Sequence, residues 1–258
     1  MMRALQARLR QGYRTNRFPA EDPKLSPRYK GLPRLDIAAC TACGACEEIC
    51  PSQAILARAE PRRLELDLGK CIFCGDCEKA CGQGAISFSK SFRMGATERE
   101  GLVLGGNVEM RIEHLQGEML RCFGHAMKIR VVSAGGCGAC EADVNVLETI
   151  GFDLSRFGIS YAASPRHADA ILVTGPVSGN MELALKKTWE AMPGPKLVIA
   201  VGACAISGGI YRGMPEARDG AASLLPVDLF IPGCPPHPMS ILNGLLDLLD
   251  RLPVGGKK

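Results

Sequence analysis

Three regimes of hydrophobic and polar patterning follow one another along the chain. Over residues 2–11, Met2, Leu5 and Leu9 recur at helical spacing, with Arg3, Gln6 and Arg10 on other faces. That spacing predicts a short helix, and Gly12 would end it. Residues 18–34 hold Pro19, Pro23, Pro27 and Pro33 and read as an extended strap rather than a core element. Residues 35–89 offer the same short pattern twice: a strand, a cysteine-bearing loop, one or two helical turns, and a second strand. From residue 128 the pattern becomes the βα alternation of a parallel sheet. Candidate strands are Lys128–Val132, Ala170–Thr174, Lys196–Val201 and Val227–Ile231, and candidate helices are Glu141–Ile150, Met181–Ala191 and Ser240–Leu252. In the last helix Ile241, Leu242, Leu245, Leu246, Leu248 and Leu249 form a broad buried stripe. Between the two parts, residues 91–127 read as a connector in which Glu109–Phe123 forms a helix weakened by Gly117. The expected domains are a basic arm and strap (1–34), a small α+β unit (35–90), the connector, and an α/β domain (128–258).

Composition narrows the class. Hydrophobic residues make up 47% of 258, enough for a packed core. No run of 18 or more apolar residues exists, so no transmembrane helix is expected; the best candidate, Leu197–Tyr211, is interrupted by Gly202, Gly208 and Gly209. The first residues lack the apolar core of a secretory signal. The net charge of +4 is unevenly spread, because residues 1–34 alone carry nine Lys/Arg against two Asp/Glu. Such an arm either docks on anionic lipid or an acidic partner, or is a solvated tail. Aromatics at 5% and the absence of a basic–aromatic face argue against nucleic-acid binding.

The 13 cysteines change the picture most, because twelve fall into three sets of four. Two sets repeat one spacing with a period of 31: Cys40, Cys43, Cys46 and Cys50, then Cys71, Cys74, Cys77 and Cys81. Gly44 and Gly75, Glu47 and Glu78, and Ala54-Ile55 and Ala85-Ile86 match at the same period. Disulfides are disfavoured in a chain of this length without a secretory signal, and structural zinc uses paired Cys-x2-Cys knuckles rather than two triplets with a distant fourth. Three thiolates two residues apart wrap three corners of a cubane, while the fourth is too far along to close its own site and ligates the other cluster. Cys40, Cys43, Cys46 and Cys81 are therefore assigned to one [4Fe–4S] centre, and Cys71, Cys74, Cys77 and Cys50 to a second. This unit resembles two-cluster bacterial ferredoxins; Pro51 follows Cys50 as that pattern expects, whereas Gly82 follows Cys81. So small a unit has few core residues, so the clusters must supply much of its folding energy.

The third set is dispersed: Cys137, Cys140, Cys204 and Cys234. Each follows a candidate strand and would sit at the carboxyl edge of the sheet, with loop Thr174-Gly175-Pro176 beside it, where open α/β sheets place their ligands. Four thiolates there make a third [4Fe–4S] site, the alternative being small buried core residues.

The words around these cysteines resemble one family. Phe123-Gly124 to Ile129-Arg130, GGCGACEADVN, PRHADAILVTGPVSGNM, AVGACAISGGIY and PVDLFIPGCPPHP occur in the order of the small subunit of energy-converting, membrane-associated [NiFe]-hydrogenases, itself similar to the cluster-N2 subunit of complex I. The complex I subunit has adjacent cysteines in the first motif; Gly138 and Ala139 intervene here, as in the hydrogenase branch. The resemblance implies a flavodoxin-like α/β fold whose four cysteines hold the cluster nearest the catalytic centre. The stretch YRTNRFPAEDP…YKGLPRLD looks like the start of the two-cluster ferredoxin subunit of formate hydrogenlyase and its relatives, so two chains of that family appear fused. The function implied is electron transfer between a donor or acceptor protein and a nickel–iron centre on a separate large subunit. Membrane subunits would be further partners, the location the cytoplasmic face of the cell membrane, and no turnover is expected from this oxidoreductase subunit alone. The rival is the equivalent subunit of a quinone- or sulfur-reducing complex; a soluble electron carrier or cluster scaffold is the reading outside that class.

Five positions complete the reading. His237 is taken as an exposed loop or interface histidine rather than a group touching the cluster. His167 belongs to a structural turn, and Cys122 is a free thiol. Asp143 is expected to accept hydrogen bonds from loop amides. Glu141 has two open roles, that same one or proton relay at the boundary between subunits.

Overall fold

The structure, a computed structural model, describes residues 2–252. Helix α1 (Met2–Gln11) stands at the start with no buried residue, and Gly12, at φ +63°, closes it. The duplicated unit follows as β1 (Pro33–Leu35), α2 (Ala45–Glu48) and β2 (Ile55–Arg58), then β3 (Arg63–Asp67), α3 (Asp76–Ala80) and β4 (Ile86–Phe88). The halves interlock rather than stand side by side: β1 pairs antiparallel with β4, and β2 with β3. Each half therefore carries the end of the other's cysteine run toward its own loop, which is how a fourth cysteine reaches the opposite site.

The connector is structural. Strand β5 (Val103–Leu104) pairs with β3, and Ala96 forms an antiparallel bridge with Phe230. The expected helix over 109–123 is present only as α4 (Gly117–Phe123). Residues 109–116 instead run extended, with the Leu115 amide donating to the Leu248 carbonyl at 2.9 Å. Gly117 sits at φ +55°, so it turns the chain into the helix instead of weakening the middle of one.

The second part contains β6 (Met127–Ser133), α5 (Ala139–Val146), β7 (Ile159–Tyr161), β8 (Ala170–Thr174), α6 (Gly179–Ala191), β9 (Leu197–Val201), α7 (Ala203–Ser207), β10 (Leu229–Ile231) and α8 (Pro238–Leu248). Its five strands are all parallel, in the order β10-β9-β8-β6-β7. That is the flavodoxin-like order, with its switch point between β6 and β8. Strand β7 is absent from the expected set, because three residues are too few for periodicity to register. Strands β8 and β9 are buried at every position, as expected of a sheet covered on both faces. Helix α8 buries Ile241, Leu242, Leu245 and Leu246 completely, and each such side chain is worth about 1.5–3 kcal/mol.

The strap departs from expectation. Phe18 is only 2% exposed and packs edge-on against Phe92 at 5.7 Å, inside the core beneath α8 and the sheet. Arg156 donates to the carbonyls of Asn16 and Phe18, and the Asn16 amide donates to Gly151. Phe18, with Leu25 and Tyr29 packed against the same core, thus makes this stretch a core element of the α/β domain. Further contacts hold the two parts together: Ser207 Oγ donates to the Gly69 carbonyl at 2.8 Å, and Arg212 to Gln53 at 2.9 Å.

Candidate iron–sulfur sites

Two cavities inside the duplicated unit gather the cysteines across the halves. One is lined by Cys40, Cys43, Cys46 and Cys81. The other is lined by Cys71, Cys74, Cys77 and Cys50. The remaining walls are apolar, among them Ala57, Leu64 and Ile86 in the first and Ile55, Leu66 and Phe88 in the second.

Local geometry repeats with the period of the sequence. The Ala42 amide donates to Cys40 Sγ at 3.4 Å and the Phe73 amide to Cys71 Sγ at 3.3 Å. The Ala54 amide donates to Cys50 Sγ and the Ala85 amide to Cys81 Sγ, both at 3.3 Å. Ala42 and Phe73 are held at φ +55° and +56°, a left-handed conformation worth about 1–3 kcal/mol of strain per residue in a side-chain-bearing position. Strain stored twice at matching places turns backbone amides toward sulfur. Gly44 and Gly75, at φ +80° and +78°, then open α2 and α3.

The third set lies at the carboxyl edge of the sheet. Cys137 and Cys140 flank the start of α5 after β6, Cys204 sits in α7 after β9, and Cys234 follows β10. Loop 174–176 approaches so closely that a Cβ on Gly175 would lie 2.5 Å from the Gly136 nitrogen. Gly202, at φ +93°, is packed directly against Cys140; a Cβ there would lie 2.6 Å from its Sγ. The Ala203 amide donates to the Gly233 carbonyl at 2.8 Å, tying the Cys204 turn to the Cys234 loop.

Burial pushes the Cys140 thiol up to about 12, and Cys204, the Glu141 carboxyl, Cys234 and Cys137 all add to the rise. Burial likewise lifts Cys204 to about 11, Cys71 to about 12 and Cys77 to about 11, and raises Cys46 and Cys234. Free thiols here keep their protons at neutral pH, so a metal must displace them and binding releases protons. No disulfide links any of the 13 cysteines. Among the described residues no group of His, Cys, Asp or Glu converges on a single-ion position. Tetrahedral zinc needs four sulfurs at about 2.3 Å from one point. Thiols spaced around a cavity, with amides aimed at sulfur and no oxygen ligand, fit a larger sulfur-bridged group.

The remaining positions are placed as follows. Burial works to raise the Glu141 carboxyl, but hydrogen bonds from Ser133 and Thr174 (Oγ1 to Oε1, 2.6 Å) outweigh it and leave it below its usual range. Among the described residues no loop amide donates to Asp143, contrary to expectation; it lies half-buried and burial raises its carboxyl. His237 is not an exposed loop histidine: it caps α8, its Nδ1 accepting from the Met239 amide at 3.1 Å, and packs on Tyr29 at 5.1 Å. Burial lowers its imidazole. His167 lies in a short turn before β8, and Cys122 is exposed on α4. Sequence reasoning missed Lys30, whose ammonium donates to the Cys74 carbonyl at 2.9 Å; no spacing rule links a strap lysine to a loop 44 residues away.

Comparison with known proteins matches two stretches of the chain. Residues 137–248 match the family model described as NADH ubiquinone oxidoreductase, 20 Kd subunit, and residues 34–86 match that of the 4Fe-4S dicluster domain. Over 142 residues the chain is 37% identical to the "Probable membrane-bound hydrogenase subunit mbhJ" of Pyrococcus furiosus, covering 55% of this chain and 85% of that relative. The chain belongs to the 20 Kd subunit family of NADH ubiquinone oxidoreductase. Within this family it is also 35% identical over 159 residues to "Formate hydrogenlyase subunit 7" of Escherichia coli, covering 62% of each chain. To an NADH-quinone oxidoreductase subunit of Citrifermentans bemidjiense it is 44% identical over 117 residues, 45% of this chain and 68% of that relative. These relatives are oxidoreductase subunits, and the dicluster match identifies iron–sulfur clusters as the cofactor class.

Proposed function

We propose that this chain is the electron-transfer subunit of a membrane-associated [NiFe]-hydrogenase, relaying electrons between a redox partner and a nickel–iron centre on a separate large subunit. The observation carrying this reading is the Cys137-Gly138-Ala139-Cys140 turn. Gly138, at φ +85°, opens α5 between the two cysteines, a spacing that sets the hydrogenase branch apart from the adjacent cysteines of complex I. The hydrogenase and formate hydrogenlyase relatives support it.

Three [4Fe–4S] clusters would supply one-electron carriers whose potentials respond to burial, charge and hydrogen bonds to sulfur. The chain's own residues do the positioning. Cys40, Cys43, Cys46 and Cys81 hold the first; Cys71, Cys74, Cys77 and Cys50 the second; Cys137, Cys140, Cys204 and Cys234 the third. Exposed Cys137 and Cys234 leave the third site open on the side where a large subunit would seat. Glu141 keeps a fixed negative charge at its rim.

Attachment to membrane subunits on the cytoplasmic face completes the reading. No helix among the described residues is long and apolar enough to cross a membrane. Helix α1 instead exposes Met2, Leu5 and Leu9, at 77%, 66% and 78%, on one stripe flanked by Arg3, Arg8 and Arg10. A short helix with an apolar stripe and a basic flank suits an anionic bilayer surface. Deleting residues 2–11 should release part of the complex from washed membranes; full retention would remove α1 from this role.

A second reading is the equivalent subunit of a quinone- or sulfur-reducing complex, favoured by the 44% identity to the quinone-linked relative. One experiment separates them: anaerobic purification of the native complex through a tag on this chain, then hydrogen-dependent viologen reduction with nickel and iron analysis. Activity with stoichiometric nickel and about twelve irons on this subunit is the hydrogenase outcome. Iron without nickel or hydrogen activity transfers the proposal to the quinone- or sulfur-linked relative.

A further inference from the structure

The duplication breaks down around the two cysteine loops. The two cysteine loops share backbone conformation, but their surroundings are opposite. Around Gly44 there is open space, whereas a Cβ on Gly75 would lie 1.5 Å from Lys30 Nζ. Lys30 reaches from the strap over the second loop, donates to the Cys74 carbonyl at 2.9 Å, and lies 5.4 Å from the Phe88 ring. The strap holds it there by backbone pairing, with the Gly31 amide donating to Ser89 and the Leu32 amide to Ser91.

Charge around the loops follows the same asymmetry. The open groove beside Cys74 also reaches Cys234 of the third site; among the described residues its charged walls are Arg28 and Lys30, with His237 and no carboxylate. Asp76 on that loop is already held by Lys79 at 2.9 Å. The open groove beside Cys43 is walled by Glu47, Glu48, Glu65, Asp67 and Lys70, and it runs on past Ile55 toward the second site. Glu47 is paired with Arg58, Glu65 with Arg63, and Asp67 with Arg99 and Lys70, so four cations stand against those four carboxylates, and Glu47 has its counterpart on the second loop in Glu78; the charge that sets the two loops apart is that of Lys30 and Arg28. Nothing comparable to Lys30 covers Gly44.

A group that gains negative charge on reduction is easier to reduce beside a cation and harder beside carboxylates. We propose that Lys30, with Arg28 behind it, raises the reduction potential at the Cys71, Cys74, Cys77 and Cys50 site above that of its duplicate. This rests on reading both sets as [4Fe–4S] sites. One electron given up at the first site is then drawn to the second, which shares a cavity wall with the third; no bond or proton need move. The strap is thereby a potential-setting element, and Lys30 a positioning residue for charge.

The test is a redox titration of the loaded full-length chain followed by electron paramagnetic resonance, with the first site marked by Cys43→Ser in a parallel preparation. In the native chain the second site should titrate above the first. Lys30→Met should shift the second midpoint downward and leave the others in place. Lys30→Gln, which keeps a donor for the Cys74 carbonyl without the charge, should fall equally; Lys30→Arg should restore the native value. Unchanged midpoints in Lys30→Met, equal shifts at both ferredoxin-type sites, or a second site below the first in the native chain would each overturn the proposal. Should Lys30→Met fail to load, Arg28→Gln carries the test: a smaller downward shift supports it and no shift counts against it. A native chain with no second ferredoxin-type signal, and iron well below about twelve per chain, would instead sink the cluster reading underneath.

Discussion

The ferredoxin unit and the α/β domain hold their cysteines in opposite ways. In the first, Cys40, Cys46, Cys71 and Cys77 are each 7–8% exposed and form part of the hydrophobic core itself. In the second, the core beneath α8 is built without cysteine: Ile129, Leu172, Ile199, Ile241 and Leu245 are fully buried, while Cys137 and Cys234 face outward at the sheet's rim. Removing the metal from the first region removes the centre of its fold. Removing it from the second takes away a group set on a finished scaffold. On the proposed assignment of the three cysteine sets, two routes to an iron–sulfur site coexist in one chain, one in which the cluster organises the protein and one in which the protein precedes the cluster.

The largest expected effect follows from that contrast. Strip the iron anaerobically with a chelator and follow amide hydrogen exchange. Protection should survive in β6, β8 and β9 and collapse across residues 33–88. Buried thiols left behind regain protons and remain poor substitutes for a ligated core, since structural metal sites contribute folding energy outright. Equal protection in both regions after iron removal would break the comparison. So would loss of protection in the sheet.

Much of this was legible in the sequence, for identifiable reasons. The period of 31 and the cysteine spacing are local, so the matching amides at Ala42 and Phe73 and the matching turns at Gly44 and Gly75 follow a visible repeat. Strands β8 and β9 stand out as continuous apolar runs and β6 as an alternating one, and strand ends implied the placement of Cys137, Cys140, Cys204 and Cys234. What escaped depends on distant contacts. Phe18 is one aromatic in a proline-rich stretch, and only the packing of Phe92 and the hydrogen bonds of Arg156 make it core. Residues 109–116 have helical composition, but backbone pairing of Leu115 with Leu248 holds them extended. His237 became a helix cap because Pro238 starts α8 immediately after it.

A smaller effect sharpens the same contrast at single-residue scale. Gly44 and Gly202 both stand at positive φ, +80° and +93°, beside a candidate ligand. An added methyl at Gly44 meets nothing within 4 Å, so Gly44→Ala should cost only the left-handed strain, about 1–2 kcal/mol. At Gly202 the backbone has ψ +154° as well, a region reserved for glycine. The methyl would also press within 2.6 Å of Cys140 Sγ, so the sulfur must leave its place. Gly202→Ala should therefore lose the third site's paramagnetic signal and about four irons while the sheet keeps its far-ultraviolet dichroism. Gly44→Ala should retain all three signals and melt slightly earlier. The α/β scaffold tolerates an empty site because its core lies elsewhere; a Gly202→Ala chain that unfolded outright would mean that the third site, too, organises the domain around it.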